Sequence, residues 1–471
     1  MYRGSFFALS MERKLNYMKG IAIHVCPWNL CKICYNTPMG KKVQKRRKKR
    51  KQNRADSRFL SRTFIICIEV FMLVVVVGVS LVLFQTSEEE QLLKNLREAG
   101  ATAELLIGTN VSEKAEDHNV VDAEMADESR YGKELADEEY CEENRIYSMP
   151  TISADEIVLA FAGDVSFAEG YANMGSLQQR GGDILTCFDE FVLKEMQEAD
   201  IFMLNNEFPY TDRGAPTEGK TYTFRAKPGN VRYLYDMGVD IVSVANNHVY
   251  DYGEVSLLDT LTTLEEAAMP YVGAGRNIEE AVKPVYFVAN DYKIAYVSAT
   301  QIEQGDYPDT KGAGENSAGV FRCWNGDLIY DVVREAKENA DFVVAYIHWG
   351  QELSETLHWA QPDQAGKLVE AGADLIIGDH PHCLQEVAYI GEVPVVYSMG
   401  NFWFNSKTQD TGIFKVVLGG NGIKSLQFVP AIQSGCKTTI ASDSEKQRIL
   451  DYVQSLSPTI SIDNQGYIIK K

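Results

Sequence analysis

The sequence predicts an α/β protein in which β-sheets and helices are layered on one another. From residue 156 onward, short apolar runs typical of buried strands alternate with amphipathic stretches typical of helices. Several of these runs end directly at side chains that can hold a metal ion. The chain has 471 residues and 45% hydrophobic content, which is enough for a large core. We therefore expect a main domain of about 250–300 residues, with further segments attached to it.

Five apolar runs carry this prediction. They cover residues 157–162 before Asp164, 201–204 before Glu207, 240–245 before Asn247 and His248, 342–347 before His348, and 374–377 before His380 and His382. The stretches between the runs predict helices over residues 254–268, 327–340 and 362–373. Because open α/β sheets bind ligands at the carboxyl ends of their strands, we expect these polar side chains to meet at one edge.

The polar residues at these strand ends suit a metal site. Four of the seven histidines lie there, together with carboxylate and amide oxygens. Such a donor set favours divalent Mn, Fe or Zn over thiolate-binding metals. Taken singly, an aspartate after a strand is as consistent with a helix cap, and a lone histidine with a packed core residue. The prediction depends on their coincidence.

A site for two ions about 3.5–4 Å apart needs a bridging anion and terminal ligands on each side. Glu207 is the candidate bridge. The candidate terminal ligands are Asp164 and His382 for one ion, and Asn247, His348 and His380 for the other. His248 is adjacent to a ligand yet free, and is the candidate general acid that protonates a leaving oxygen.

Three further residues are candidates for binding substrate. Arg225 can clamp a carboxylate or phosphate through its planar guanidinium, although a surface salt bridge is an equal alternative. Asn246 lies beside the ligand Asn247. Trp349 follows His348 and can form a wall of the cleft, with core packing as the commoner role of such a residue.

The first 153 residues predict a membrane anchor and a spacer. A basic run at 41–54 precedes an almost wholly apolar run at 63–84, whose length suits one bilayer crossing. A cleaved signal peptide is the alternative, but the apolar run is long for one. Basic flanks stay in the cytoplasm, so residues 1–62, with Met39 as an alternative start, are expected inside the cell and the residues after the apolar run outside it. Residues 85–153 are acidic and poor in aromatics, which predicts a disordered stalk.

The net charge of −20 argues against a nucleic-acid partner, because neutralising phosphates needs a basic face. Next to an apolar span, the basic run is better explained as a topology signal and a contact for anionic lipids.

Seven short motifs follow one another in the predicted domain. They are GDV at 163–165, NEFP at 206–209, FRAKP at 224–228, ANNHVYDYG at 245–253, HWGQE at 348–352, GDHPH at 378–382 and SMGNF at 398–402. In this order they resemble the motifs of the bacterial capsule-synthesis CapA family, which is associated with poly-γ-glutamate synthesis and export. That family is similar in fold to calcineurin-like metallophosphoesterases.

The resemblance implies a layered β-sandwich with flanking helices over residues 154–433, and a C-terminal helix and strand in 434–471 that pack on it. It also implies the metal ligands and the acid proposed above. Metallophosphoesterases usually begin with Asp-x-His and bridge their ions with an aspartate, whereas this chain has Ser166 and Glu207. One ion, or a weaker pair, is therefore as consistent with the sequence as two.

Three functions remain open. The first is a membrane-anchored, extracytoplasmic metal-dependent hydrolase that acts on an anionic surface polymer or phosphoester. The second is a non-catalytic metal- or polymer-binding component of a membrane complex that makes such a polymer. The third is a general surface phosphomonoesterase or nucleotidase.

Overall fold

The structure is a computed structural model that describes residues 129–302, 311–324 and 326–471. Within these ranges no helix is both long enough and apolar enough to cross a membrane. The predicted cytoplasmic segment, the predicted anchor at 63–84 and the predicted stalk up to residue 128 lie outside the described residues.

Strands dominate the described part of the chain. In chain order they are β1 Ile146–Ser148, β2 Ile157–Val165, β3 Ile201–Asn206, β4 Ile241–Ser243, β5 Tyr271–Val272, β6 Ala274–Gly275, β7 Val285–Ala289, β8 Tyr292–Thr300, β9 Gly319–Val320, β10 Phe342–His348, β11 Leu375–Asp379, β12 Val387–Ile390, β13 Val393–Val396, β14 Asn401–Trp403, β15 Gln409–Gly419, β16 Gly422–Ser434, β17 Lys437–Ile440, β18 Ile460–Ile462 and β19 Tyr467–Lys470.

Helices cover the sheets. In chain order they are α1 Gly132–Leu135, α2 Glu138–Glu143, α3 Ala172–Gln179, α4 Glu190–Gln197, α5 Arg232–Asp236, α6 Glu254–Glu266, α7 Ile278–Ala281, α8 Leu328–Asn339, α9 Ala360–Ala371 and α10 Asp443–Leu456. Two short 3₁₀ helices span Ile184–Cys187 and Pro228–Val231. The three predicted helices correspond to α6, α8 and α9.

In the described part of the chain the strands form two large sheets and a two-stranded sheet of β6 and β9. Sheet A has seven strands in the order β1-β7-β8-β10-β11-β13-β12. Sheet B has ten strands, of which eight follow the order β18-β19-β16-β15-β2-β3-β4-β5, while β14 pairs with β2 and β17 with β16. Strands β2, β3 and β4 are parallel in sheet B, as are β8, β10 and β11 in sheet A. All five predicted strands are confirmed, and each sheet collects the carboxyl ends of its parallel strands at one edge.

Alternation of side chains builds the layers. In β2, Phe161 points into the core between the two sheets, while Ala160 and Ala162 face the core under the helices that cover sheet B. In sheet A, Tyr346 joins the core between the sheets, and its neighbour Ala345 packs toward α8 and α9. This period of two is what an apolar strand buried on both faces requires. The mixed α/β class with layered sheets is therefore confirmed.

The predicted disordered stalk is wrong from residue 129 onward. There β1 pairs in parallel with β7, and the chain before it docks on sheet A. The guanidinium of Arg130 and the hydroxyl of Tyr131 bond to Asp341 at 2.7 and 2.8 Å, and Lys293 pairs with Glu134 at 2.5 Å. These acidic-segment residues order because the domain supplies partners that are distant in sequence.

The C-terminal residues extend the domain. Strand β16 pairs with β15, β17 and β19, so the chain after residue 433 continues sheet B. Helix α10 buries Ile449, Leu450 and Val453 against the core between the sheets. The predicted helix and final strand are present, and β18 adds a strand that the sequence did not indicate.

Candidate metal centre

The carboxyl ends of strands from both sheets meet at one buried cluster. Sheet B supplies Asp164 at the end of β2 and Glu207 directly after β3, and sheet A supplies His348 at the end of β10. Loops after β4 and β11 add the remaining predicted ligands. Three groups within the cluster have ligand atoms that all lie within 4.8 Å of one another: Glu207, His348 and His380; Asp164, Glu207 and His382; and Asp164, His348 and Asp379.

Asp164 and His382 form one side of the cluster. Nδ1 of His382 lies 2.8 Å from Oδ2 of Asp164 and 2.9 Å from Oδ1 of Asn401. Asn401 reaches this position because β14 pairs with β2 next to Asp164. The approach is close enough that a Cβ at Gly163 would collide with the carbonyl of Gly400. A glycine is therefore required just before the carboxylate.

His348 lies at the centre of the other side. Its Nε2 is 2.9 Å from Oδ1 of Asn247 and 3.0 Å from Nδ1 of His380. Its Nδ1 is 2.9 Å from Oδ1 of Asp379. A carboxylate on one imidazole nitrogen fixes the ring and leaves the other nitrogen to bind metal.

Glu207 lies between the two sides. Its Oε1 is 3.8 Å from Nε2 of His348 and 3.9 Å from Nε2 of both His248 and His382. The residue is fully buried, and within the described residues this oxygen has no hydrogen-bond partner. Oδ2 of Asp379 is in the same condition. Buried carboxylate oxygens without partners are costly, because they lose water and gain nothing in return.

The backbone of the β11 loop is strained at the cluster. His380 and His382 have φ angles of 95° and 57°, in the left-handed region that non-glycine residues rarely occupy. Such strain concentrates at functional sites, where the surrounding structure holds it in place. Both imidazoles reach the cluster through this conformation.

Burial and mutual repulsion shift the pKa values of the carboxylates. Burial raises the pKa of Glu207 well above its ordinary value, and the charges of Asp164 and Asp379 raise it further. The pKa of Asp379 is raised in the same way, first by burial and then by Asp164. Burial also acts on Asp164, but hydrogen bonding and attraction to His382 outweigh it and lower its pKa.

The pKa values of the imidazoles on the two sides of the cluster shift in opposite directions. Burial lowers the pKa of His348 to about 3, and burial followed by repulsion from His348 lowers that of His380. The pKa of His382 is raised, because the bond to Asp164 outweighs the effect of burial. Neutral imidazole is the form that binds metal.

The residues fit a divalent cation. A cation would neutralise the clustered carboxylates, give the unpartnered oxygens of Glu207 and Asp379 a ligand, and accept the neutral imidazoles. Carboxylate, amide oxygen and imidazole are the ligands that Mn, Fe and Zn share. The structure thus brings together every predicted ligand: Asp164, Glu207, Asn247, His348, His380 and His382.

His248 lies beside the cluster, and Asp251 and Phe224 hold its ring in place. Its Nδ1 is 2.7 Å from Oδ2 of Asp251, and its ring centroid is 4.2 Å from that of Phe224. Since Asp251 occupies Nδ1, Nε2 is the nitrogen that faces Glu207. Burial lowers the pKa of His248, against the opposing effect of Asp251. His248 thus lies beside the predicted ligands with Nε2 turned toward Glu207.

The structure places two of the predicted substrate-binding residues, Asn246 and Trp349, inside the protein. The side-chain oxygen of Asn246 accepts from the backbone N–H groups of His248 and Val249, and its amide donates to Asn205 and to the carbonyl of Asn206. With both side-chain polar atoms engaged, Asn246 shapes the turn that carries Asn247 and His248, and a contact with substrate stays a prediction.

Trp349 lies in the core, which is the alternative role given for it above. It is fully buried, stacks on Tyr397 with ring centroids 5.6 Å apart, and donates from Nε1 to the carbonyl of Tyr397 at 2.8 Å. The side chain belongs to the core between sheet A and its helices. Alternation along β10 explains this, because His348 points to the cluster and the next residue points the opposite way.

Arg225 is half-buried, with its guanidinium 4.4 Å from the ring centroid of Tyr252. Among the described residues no carboxylate lies within 4.0 Å of this guanidinium. The salt-bridge alternative is therefore absent from the described part of the chain, and the group can receive an anion.

Three members of the site were missed from the sequence. Asp379 orients His348, Asn401 orients His382, and the amide of Asn205 donates to Asp164 at 2.8 Å. Each lies within or beside a motif, yet nothing in the motif separates a ligand from the residue that holds it. The position of Asp379 could have indicated its role, because it ends β11 directly before His380 and His382.

Fold and site together define an α/β protein with two large sheets and a buried cluster of carboxylates and imidazoles that could hold a metal ion. Residues 158–406 match the family model of the bacterial capsule synthesis protein PGA_cap, which is more than half of the chain. The chain therefore belongs to that family, and the predicted CapA resemblance is confirmed.

The chain is also similar to individual relatives and, more distantly, to solved structures. The PGA biosynthesis protein CapA of Bacillus subtilis is 28% identical over 306 residues, 64% of this chain and 78% of the relative. The capsule biosynthesis protein CapA of Bacillus anthracis is 32% identical over 238 residues, 49% of this chain and 57% of the relative. The 5'-nucleotidase of Candida albicans aligns over 60% of this chain and 53% of that chain, with 10% identity and a TM-score of 0.34, too low to support an inference.

Proposed function

We propose that this protein is a metal-dependent hydrolase of metallophosphoesterase-like fold that serves capsule or poly-γ-glutamate biosynthesis at the cell surface. Its substrate would be an anionic surface polymer or a phosphoester. Membership of the capsule synthesis family supports the biological setting. The observation that carries the chemistry is the buried, unpartnered Oε1 of Glu207, 3.8 to 3.9 Å from three imidazole nitrogens.

The two sides of the cluster would each hold one divalent ion, with Glu207 shared between them. Asp164 and His382 serve the first ion, and Asn247, His348 and His380 serve the second. When bound, the metal would supply a Lewis acid that polarises a phosphoryl or carbonyl oxygen of the substrate.

His248 would donate a proton to the leaving oxygen. Its Nδ1 is bonded to Asp251, so the proton that it transfers is carried on Nε2, which faces the cluster. Positioned acids of this kind contribute about 10²–10⁴-fold to rate. Arg225 would hold a carboxylate or phosphate of the substrate, since a planar guanidinium makes paired hydrogen bonds to such groups.

A non-catalytic role is the second candidate, and Ser166 favours it. This residue stands where metallophosphoesterases have the histidine of Asp-x-His, and its hydroxyl accepts from the backbone N–H of Ala168. With one imidazole fewer, the centre would bind metal more weakly and retain a polymer without cleaving it.

Hydrolysis and binding assays separate the two candidates. The purified full-length chain, loaded in turn with Mn, Fe or Zn, is expected to hydrolyse p-nitrophenyl phosphate or poly-γ-glutamate. If wild-type protein cleaves neither, yet retains poly-γ-glutamate in a pull-down, the binding role replaces the catalytic one.

The predicted anchor at 63–84 remains part of the proposal. It would place the metal centre outside the cell, next to the polymer and to the membrane subunits that make it. Protease added to intact, wall-stripped cells should then degrade residues 129–471. Protection of this region until the membrane is permeabilised would refute the proposed topology.

A further inference from the structure

The loop before Arg225 closes over the turn that carries Asn247 and His248. Thr217 donates from its backbone N–H and its hydroxyl to the carbonyl of Asp251, at 2.8 and 3.0 Å. The backbone N–H of Phe224 donates to Oδ2 of Asp251 at 2.6 Å, and the Phe224 ring packs on His248. Residues 217–224, named here the clasp, thus hold the acid's turn at several points.

Lys220 lies inside the clasp. Its side chain is only 8% exposed, and its ammonium is 2.6 Å from Oδ1 of Asp251. The same ammonium donates to the backbone carbonyl of Asn247. An ammonium buried to this degree is costly unless it is paired and hydrogen-bonded, and these two acceptors provide that.

The geometry points to Lys220 as a positioning residue for both the acid and the neighbouring metal ligand, an inference that rests on the proposed function. Asp251 gives Oδ1 to Lys220 and Oδ2 to His248 and Phe224, so the ammonium fixes which oxygen faces the imidazole. Lys220 also holds the backbone carbonyl of Asn247. It thereby fixes the backbone of the residue whose side-chain Oδ1 lies 2.9 Å from Nε2 of His348.

The clasp would therefore act through His248, because its contacts run to the turn that carries this residue. Without the ammonium, the Asp251 carboxylate can rotate and the hydrogen bond to Nδ1 of His248 weakens. A displaced acid matters most when the leaving oxygen needs a proton. This dependence on the leaving group separates positioning from a general structural role, which would lower all rates alike.

The test compares Lys220→Met with Lys227→Met in the full-length chain. Lys227 is a lysine just beyond the clasp whose side chain is 62% exposed and whose ammonium is 3.8 Å from Glu169. Zinc-loaded protein is assayed on phenyl phosphate, whose leaving oxygen needs a proton, and on p-nitrophenyl phosphate, whose leaving oxygen does not. We expect Lys220→Met to slow the first at least about tenfold and the second less than about threefold. Lys227→Met should change neither.

Histidine-selective NMR of the metal-free and zinc-loaded protein tests the position of His248 without depending on hydrolytic activity. The Nδ1 proton of His248, assigned by its absence in His248→Ala, should be protected from exchange in wild type and lost in Lys220→Met. Asp251→Asn should reproduce this loss, and combining it with Lys220→Met should add little further effect, because the two act as one unit.

These experiments distinguish failure of the positioning inference from failure of the hydrolase proposal. If wild type hydrolyses neither ester, the catalytic proposal fails, while loss of the His248 signal in Lys220→Met still supports positioning. Retention of that signal in a folded Lys220→Met protein overturns the inference, as does an equal slowing of both esters. If Lys220→Met does not fold, Lys220→Gln, which also lacks the ammonium, decides by the same two readings.

Discussion

Replacing Glu207 with glutamine should change stability in opposite directions without and with metal. The carboxylate is fully buried, and its Oε1 has no hydrogen-bond partner among the described residues. Leaving a buried polar atom unpaired costs about 1–3 kcal/mol, and more when it is charged. Because burial raises the pKa of Glu207, the folded metal-free protein takes up a proton there near neutral pH that the unfolded chain does not hold. Glutamine has nearly the same shape and needs no proton, so the metal-free variant should be more stable than wild type by about 1 kcal/mol or more.

Metal reverses this ranking. Two unit charges about 4 Å apart attract by about 4 kcal/mol at an effective dielectric constant of about 20, and the glutamine carbonyl recovers part of this as a neutral ligand. A net loss of about 2.7 kcal/mol corresponds to about hundredfold weaker metal binding. At a metal concentration of about 100 times the wild-type Kd, binding stabilises wild type by about 2.7 kcal/mol and the variant by about 0.4 kcal/mol.

Urea unfolding followed by circular dichroism, in chelator and in added Mn, measures both effects. Glu392→Gln is the matched control, because the Glu392 side chain is 90% exposed and pairs only with Lys470 among the described residues. This control should behave as wild type in both conditions. The reasoning is refuted if metal-free Glu207→Gln is no more stable than wild type and gains equally from metal.

Three further predictions concern single residues of the cluster. His248→Ala should keep near-normal metal content and lose about 10²–10⁴-fold in rate, whereas His380→Ala should lose both; elemental analysis and ester hydrolysis check this. Asp379→Asn should weaken metal binding about 10–100-fold, since it releases Nδ1 of His348, and unchanged affinity in a competition titration with a chelating dye would contradict it. In metal-free protein the folded pKa of His348 is about 3, below its ordinary value of 6.5, so unfolding takes up a proton between these pH values. Its contribution to stability is therefore complete above about pH 6.5 and lost as pH falls toward 3, and denaturation curves of His348→Asn should show a shallower pH dependence than wild type.

The sequence was sufficient to predict how the site is assembled. Asp164, Glu207 and His348 each follow or end an apolar run that the sequence identifies as a strand, so their side chains are expected at the carboxyl edge of a sheet. The structure brings all three together. The seven motifs then pointed to the right family, because their order along the chain is far more specific than any single residue.

The errors have physical causes. Trp349 is next to a ligand in sequence, but alternation along β10 sends it to the opposite face of the sheet. The sequence suggested Asn246 as a substrate-binding residue, and its role in bracing the turn depends on backbone geometry that a motif does not express. Asp379 was missed because its hydrogen bond to His348 joins two strands.

The acidic segment shows a different kind of limit. Its low hydrophobicity and high charge predicted disorder, and those features describe the chain in isolation. Order from residue 129 onward comes from partners far away in sequence, such as Asp341 for Tyr131 and Lys293 for Glu134. A pattern confined to the segment cannot reveal partners that only the folded domain brings near.

The metal content of the purified full-length chain tests the central claim most directly. After growth with Mn, Fe and Zn, elemental analysis should find about one or two divalent ions per wild-type chain and a clear deficit in His380→Ala. Wild-type protein that binds none of these metals under any loading condition, or that matches His380→Ala in content, would contradict the existence of the metal centre.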